Sequence, residues 1–257
     1  MNKYISDLEV CQVERLNDKT ALIKLTQTTP LPEMRPGQFV EVLVRDSCRT
    51  MLRRPISIHF VDRVHNELWL LVAVVGDGTR HIAGTPVGGT LNCVFPLGNG
   101  FSMPSAALER VLLVGGGVGV APLLYMGAEV RRMGCTPTFL LGARTGADLL
   151  QLKEFEKYGR VMVTTEDGSA GERGFVTGHA VLSDSFDRIC TCGPKPMMVA
   201  VAKYARKAGV KCEVSLENMM ACGVGACLCC VEKTAEGNLC VCKEGPVFDI
   251  NRLLWQI

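Results

Sequence analysis

Up to about Phe101 the apolar positions fall in short runs, several of them alternating with polar residues: TALIKLTQ (20–27), GQFVEVLVRD (37–46), RPISIHFVD (54–62), ELWLLVAVVG (67–76) and TLNCVF (90–95). Gly, Pro, Asn and Asp separate these runs. The texture predicts strands, and closely spaced strands with turn signals predict a barrel. From Leu108 to about Val214 strand-like runs instead lead into helix-like ones. RVLLVGG precedes APLLYMGAEVRRMG, TPTFLLGA precedes ADLLQLKEFEKYG, and DRICTCG precedes KPMMVAVAKYARKAG. That alternation predicts a parallel sheet covered by helices. The last 40 or so residues hold a cysteine-rich knot and a tail, VFDINRLLWQI. The expected organisation is therefore an antiparallel β-barrel over 1–101, a Rossmann-like α/β unit over 102–214 and a small cysteine-rich unit over 215–257.

Charge narrows the function classes. Lys plus Arg number 28 against 26 Asp plus Glu, and no basic run appears, so the chain lacks the electrostatic footprint of a nucleic-acid binder. The uncharged run from Val111 to Ala128 contains GGGVGVAP, and backbone broken by glycine and proline cannot satisfy itself in lipid, so it reads as strand, turn and helix rather than a membrane span. The first residues, MNKYISDLEVCQVERL, mix charged and apolar side chains and lack the apolar core of a signal peptide, which points to the cytoplasm.

VLLVGGGVGVAPLL (111–124) is a strand running into a glycine turn and then a helix. Gly115, Gly116, Gly117 and Gly119 allow a tight turn and the close approach of a pyrophosphate, which the N–H groups of a helix start favour. Pro122 fits the first helical turn, where its missing N–H has no intrahelical partner. A tight turn without a ligand is the alternative. The acid expected about 20 positions further on, at the end of the second strand, is missing: Arg144 stands there, with no acid before Asp148. Arginine suits the 2′-phosphate of NADP or is a solvated loop residue, so these residues leave NAD and NADP both open.

Of the 13 cysteines, six lie between Cys222 and Cys242. Cys222, Cys227 and Cys230 follow a C-x4-C-x2-C spacing, and Cys242 comes after eleven more residues. This is the plant-type ferredoxin spacing for a [2Fe–2S] cluster, whereas zinc sites more often use two C-x2-C pairs. Gly223, Gly225 and Ala226 keep the loop small, so that N–H groups can point at the sulfurs. Cys229 and Cys240 are spare and read as small packed residues. On an extended run Cys240 would face away from Cys242. Nicotinamide exchanges two electrons as hydride and an iron–sulfur cluster carries one, so something must convert between them, and a flavin can.

RRPISI (53–58), GDGT (76–79), PLGNGF (96–101), GGGVGVAP (115–122), CGPKPMM (192–198), MACGVGACLCC (220–230) and CKEGPVFD (242–249) together resemble the ferredoxin reductase superfamily over essentially the whole chain. Within it they resemble the electron-transfer subunits of type 1B dihydroorotate dehydrogenases. The resemblance implies FAD on the barrel, with Arg54, Pro55, Ile56 and Ser57 at the flavin and its diphosphate, Gly78 and Thr79 in a second phosphate turn, and Leu71, Val72 and Ala73 along the flavin. Relatives often carry an aromatic and a basic residue at the last two of these positions. It also implies that Cys192 and Gly193 lie beside the nicotinamide. Many relatives have an arginine where this chain has Met219. The implied function is transfer of electrons from FMN in a separate dihydroorotate-oxidising subunit, through [2Fe–2S] and FAD, to NAD+ in pyrimidine synthesis, within an assembly of two electron-transfer and two catalytic subunits. The apolar tail is then either a docking element or a strand or helix packed on its own domain. Two other readings remain: a subunit of an NAD(P)H:ferredoxin or sulfide-type reductase, whose relatives commonly replace the first cluster cysteine by aspartate, and a zinc-stabilised nucleotide-binding regulator.

Overall fold

The computed structural model describes residues 2–255 except Asp46 and Cys48. Six antiparallel strands close the first unit: β1 (Tyr4–Asn17), β2 (Thr20–Thr26), β3 (Phe39–Val42), β4 (Arg54–Asp62), β5 (Glu67–Ala73) and β6 (Thr90–Leu97), in the order β1-β2-β5-β4-β3-β6. The short helix α1 (Asp77–Ala83) follows β5. Five of these strands carry the expected apolar runs. The sixth, β1, was not anticipated because only Leu8 and Val10 on it are buried. It irregularly pairs β2 along one edge and β6 along the other, and so closes the barrel despite its largely polar surface.

The second unit is a seven-stranded sheet built from β7 (Val111–Gly116), β8 (Thr138–Ala143), β9 (Arg160–Thr165), β10 (Glu172–Arg173), β11 (Arg188–Cys192), β12 (Lys211–Ser215) and, beyond the two-stranded ribbon β13 (Val231–Thr234) and β14 (Gly237–Cys240), β15 (Val247–Asp249). Its order is β10-β9-β8-β7-β11-β12-β15, parallel except for β15, which runs antiparallel to β12. Helices α2 (Ala121–Arg132), α3 (Leu152–Glu156) and α4 (Lys195–Ala208) connect the strands, and the single turn α5 (Val241–Glu244) precedes β15. The run 111–128 is thus β7, a 3-10 turn and the start of α2, and no helix among the described residues is long and apolar enough to cross a membrane. The tail packs on its own sheet through β15; Leu254 is exposed, and Gln256 and Ile257 lie outside the described residues.

Strand order reverses between β7 and β11, which opens a crevice at their carboxyl ends. The barrel is locked over that crevice. His59 on β4 has no exposed surface; its Nδ1–H donates to the Ala121 carbonyl at 2.7 Å, and Nε2 meets the Gln151 amide at 2.6 Å. Tyr125 on α2 donates its hydroxyl to the Met34 carbonyl at 2.9 Å, and its ring meets Phe60 edge-on.

Candidate functional site

A cavity of about 600 Å³ lies where the expected glycine turn meets the barrel. The four glycines divide their labour. A Cβ at Gly115 would strike Val120 and Leu123, and one at Gly119 would strike the backbone of Gly193, so these two permit packing. Gly116 and Gly117 line the cavity, and Gly117, at φ +56, has nothing within 4 Å of the place a Cβ would take. Its open face is the cradle a pyrophosphate requires. Gly193, at φ +146, abuts the Gly116 backbone from β11's end, which brings the CGPKPMM turn to the same crevice. Arg144 is exposed on the cavity rim. An acid reaches the cavity from a different strand: Glu166 follows β9, its N–H donates to the Ala143 carbonyl at 3.1 Å, and it lines the cavity beside Arg144. Reading acids only after the second strand overlooked it, because β9 itself had not been recognised.

A second cavity of about 250 Å³ adjoins the first, and Ala73, Val75 and Val118 line both. Pro55, Ile56, Ser57, Leu71 and Thr79 surround it, with Glu217, Asn218 and Met220 from the segment ahead of the cysteine loop. A slot with apolar walls and a few polar groups suits a flavin ring. Three expected residues stand elsewhere. Val72 is buried in the barrel core. Arg54 turns its guanidinium to the Leu52 carbonyl at 2.9 Å and lies against Gly78, where a Cβ would meet Arg54 Nε at 2.8 Å; neither residue lines the slot. The hydroxyl of Thr79 accepts from the N–H groups of Val75 and Gly76, both at 3.1 Å. Cys192 is buried, and burial holds its thiol well above the usual range. Its Sγ donates to Glu217 Oε1 at 3.8 Å. Burial likewise raises the Glu217 carboxyl. Glu217 is thus a polar group of the slot, two residues ahead of Met219.

The cysteine loop curls through positive φ at Gly223, Gly225 and Leu228. Cys222 Sγ accepts N–H groups from Val224, Ala226 and Cys227 at 3.5, 3.3 and 3.4 Å. Burial raises this thiol, but the N–H donors of Val224 and Cys227, the Cys227 side chain and the Ala226 N–H outweigh it and bring Cys222 to about 6. Cys242 Sγ accepts from Gly225 N–H at 3.1 Å, and Cys230 Sγ accepts from Cys242 N–H at 3.3 Å. Burial, and then the Cys230 thiol, push Cys242 up to about 12. Cys227 N–H on Cys222 Sγ and Cys242 N–H on Cys230 Sγ tie the four cysteines into two neighbouring pairs. No group of three or more His, Cys, Asp or Glu among the described residues forms a site for a metal ion. Two cysteine pairs whose sulfurs accept N–H donors suit a two-iron centre with two ligands on each iron. Cys242 sits on the turn α5 rather than on an extended strand, so the opposite-face expectation for Cys240 is replaced by a direct contact: Cys240 Sγ donates to the Gly225 carbonyl at 3.8 Å. Cys229 Sγ donates to the Met219 carbonyl at 3.7 Å.

Residues 217–254 match the family described as the iron–sulfur cluster binding domain of dihydroorotate dehydrogenase B, and residues 113–203 match the oxidoreductase NAD-binding domain. A protein of Listeria monocytogenes serotype 4b named dihydroorotate dehydrogenase B (NAD(+)), electron transfer subunit, is 38% identical over 95% of this chain and 96% of its own. One of the same name from Bacillus caldolyticus is 41% identical over 84% and 86%. Among solved structures, an NADH-dependent reduced ferredoxin–NADP oxidoreductase studied for flavin-based electron bifurcation superimposes with a TM-score of 0.87 at 30% identity, covering 97% of this chain and 90% of that one. The ferredoxin reductase of carbazole 1,9a-dioxygenase, at 19% identity and a TM-score of 0.69 over 82% and 67%, shares the fold. With paired cysteines, flavin-sized slot and glycine cradle in one chain, and identity of this extent along nearly its whole length, the protein belongs to the family of dihydroorotate dehydrogenase B (NAD(+)) electron transfer subunits.

Proposed function

We propose that this protein carries electrons from the FMN of a dihydroorotate-oxidising catalytic subunit, through a [2Fe–2S] cluster and FAD, to NAD+ in pyrimidine synthesis. One observation carries the reading: the two cavities share Ala73, Val75 and Val118, and residues 217–220, which line the flavin slot, lead directly into the cysteine loop. Cluster, flavin and nicotinamide sites are thereby consecutive. When bound, FAD supplies the conversion between single electrons and hydride.

The chain's own residues prepare these sites. Cys222, Cys227, Cys230 and Cys242 hold the cluster; Pro55, Ile56, Ser57, Leu71, Ala73 and Thr79 receive the flavin, with Arg54 and Gly78 forming the adjoining turn. Gly116 and Gly117 receive the pyrophosphate, with Gly115, Gly119, Cys192 and Gly193 shaping the crevice. Glu217 lines the flavin slot, where its carboxylate accepts from the Cys192 thiol. Glu166 accepts from the adenosine ribose hydroxyls and repels a 2′-phosphate, which favours NAD over NADP. The functional division follows 1–101, 102–214 and 215–257, the last unit lending β15 to the sheet of the second.

Partner docking falls on the cluster loop, where two large apolar side chains, Met219 and Leu228, are exposed at 84% and 64%. The expected assembly has two electron-transfer and two catalytic subunits and works in the cytoplasm, where thiols stay reduced. Co-expression with a type 1B catalytic subunit followed by anaerobic purification tests the whole reading. The complex should show flavin and iron–sulfur bands and reduce NAD+ with dihydroorotate, while this chain alone should oxidise NADH with artificial acceptors only. Met219→Glu should weaken the complex about tenfold or more, measured by analytical ultracentrifugation. A colourless protein, or complex formation indifferent to Met219, defeats the corresponding part.

A further inference from the structure

The nicotinamide cavity has an unexplained cation on its barrel side. The turn between β1 and β2 brings Asn17 and Lys19 to the wall of the 600 Å³ cavity, which is also lined by a glycine turn that carries no charge of its own. The backbone there is fixed: Lys19 N–H donates to Asn17 Oδ1 at 2.9 Å, and the Lys19 carbonyl accepts from Val74 N–H at 2.7 Å. Asn17 Nδ2 also reaches the Ala147 carbonyl at 3.5 Å, tying the hairpin to the loop after β8. The Lys19 ammonium, in contrast, has no hydrogen bond or ion pair among the described residues. The hairpin stands next to Ala73, which pairs with Thr20 and lines both cavities. The pyrophosphate of a dinucleotide is doubly anionic, and the Gly116–Gly117 cradle offers it only backbone.

We propose that Lys19 is the charged half of the pyrophosphate site: a cation supplied by the barrel hairpin that closes over the dinucleotide from the opposite side to the glycine turn. This assignment rests on the nicotinamide reading above. It makes nucleotide binding a property of both units together, because neither the sheet nor the barrel alone holds both halves of the phosphate site. Bonds from an ammonium to a phosphate are charge-assisted, and losing one partly exposed contact of this kind weakens binding about tenfold.

The test uses the FAD-loaded, cluster-loaded chain. Affinities for NAD+ and ADP-ribose are measured by calorimetry, with adenosine read as a competitive inhibitor, in wild type, Lys19→Ala and Lys19→Arg. Lys19→Ala should weaken NAD+ and ADP-ribose about tenfold and leave adenosine unchanged; Lys19→Arg should recover most of the loss. With ferricyanide as acceptor, KM for NADH should rise while kcat stays within about twofold, and flavin content should not change. Wild-type affinity for ADP-ribose in Lys19→Ala overturns the assignment, as does an equal loss for adenosine, which marks a structural role, or a loss of flavin, which moves the contact to the FAD diphosphate. If wild type binds neither NAD+ nor ADP-ribose, the nicotinamide reading falls and takes Lys19 with it; if wild type binds both, only Lys19 is at stake.

Discussion

Cys222 and Cys229 share one loop, yet their surroundings assign them different work. Three N–H groups converge on Cys222 Sγ, whereas Cys229 Sγ spends its proton on the Met219 carbonyl. Substituting alanine at Cys222, Cys227, Cys230 or Cys242 should each abolish the iron–sulfur absorbance and the bound sulfide. Alanine at Cys229 or Cys240 should retain both, and loss of the cluster in Cys240→Ala with retention in Cys242→Ala would reassign the fourth ligand. The spacing made the first three ligands legible in sequence; the turn that presents the fourth was not, since one helical turn of four residues has no periodicity to read.

Glu41 is a residue whose character is invisible in sequence. It lies on β3 at 1% exposure, neither carboxylate oxygen has a hydrogen-bond partner among the described residues, and it packs so closely that a Cβ on Gly223 would meet its Cγ at 2.7 Å. Burial, opposed by Arg53 and Arg54 and reinforced by Cys222, raises its carboxyl to about 7. The folded protein therefore binds this proton more tightly than the unfolded chain does. Its contribution to stability is complete below the ordinary carboxylate range and is lost as pH rises toward 7. Glu41→Gln should raise the stability of the folded state at pH 8 by on the order of 2 kcal/mol, and the gain should vanish by about pH 4, as read from denaturant midpoints at both pH values.

At the scale of elements, the glycine turn carries the clearest expectation. Gly117 combines a left-handed φ of +56 with an open face on the cavity. A valine there meets no clash with the protein itself, but it strains the backbone and fills the place a pyrophosphate needs. Gly117→Val should lower kcat/KM for NADH at least 100-fold while the flavin and cluster spectra, and chemical reduction of both centres by dithionite, remain as in wild type. Equal damage to the spectra would make the turn purely structural. The strand-to-helix rhythm around this turn was readable because its core strands are continuously apolar, as in β7, where all six residues are buried. Other strands were less legible, and β1 and β15 were so for opposite reasons. β1 buries only Leu8 and Val10 and holds its place by pairing along both edges; β15 has three residues, too few for any pattern, and exists because β12 offers it an edge.

Across the whole molecule, the barrel and sheet act as one frame because polar groups are neutralised between them. His59 and Tyr125 make their hydrogen bonds across the junction, and the two cavities meet along it. The amino-acid sequence by itself determined the barrel texture, the strand–helix alternation, the glycine cradle and the C-x4-C-x2-C loop. Each depends on residues near one another in the chain, so that period, turn chemistry and ligand spacing are local properties. Tertiary structure alone decided that Glu166 from the third strand lines the cavity beside Arg144 from the second, that Val72 belongs to the barrel core, that Glu217 reaches the flavin slot beside Cys192, and that Lys19 lines the same cavity as the glycine turn. These are encounters between residues from 22 to about 160 positions apart, created by strand order and by the docking of barrel on sheet, and no local pattern in the chain encodes them.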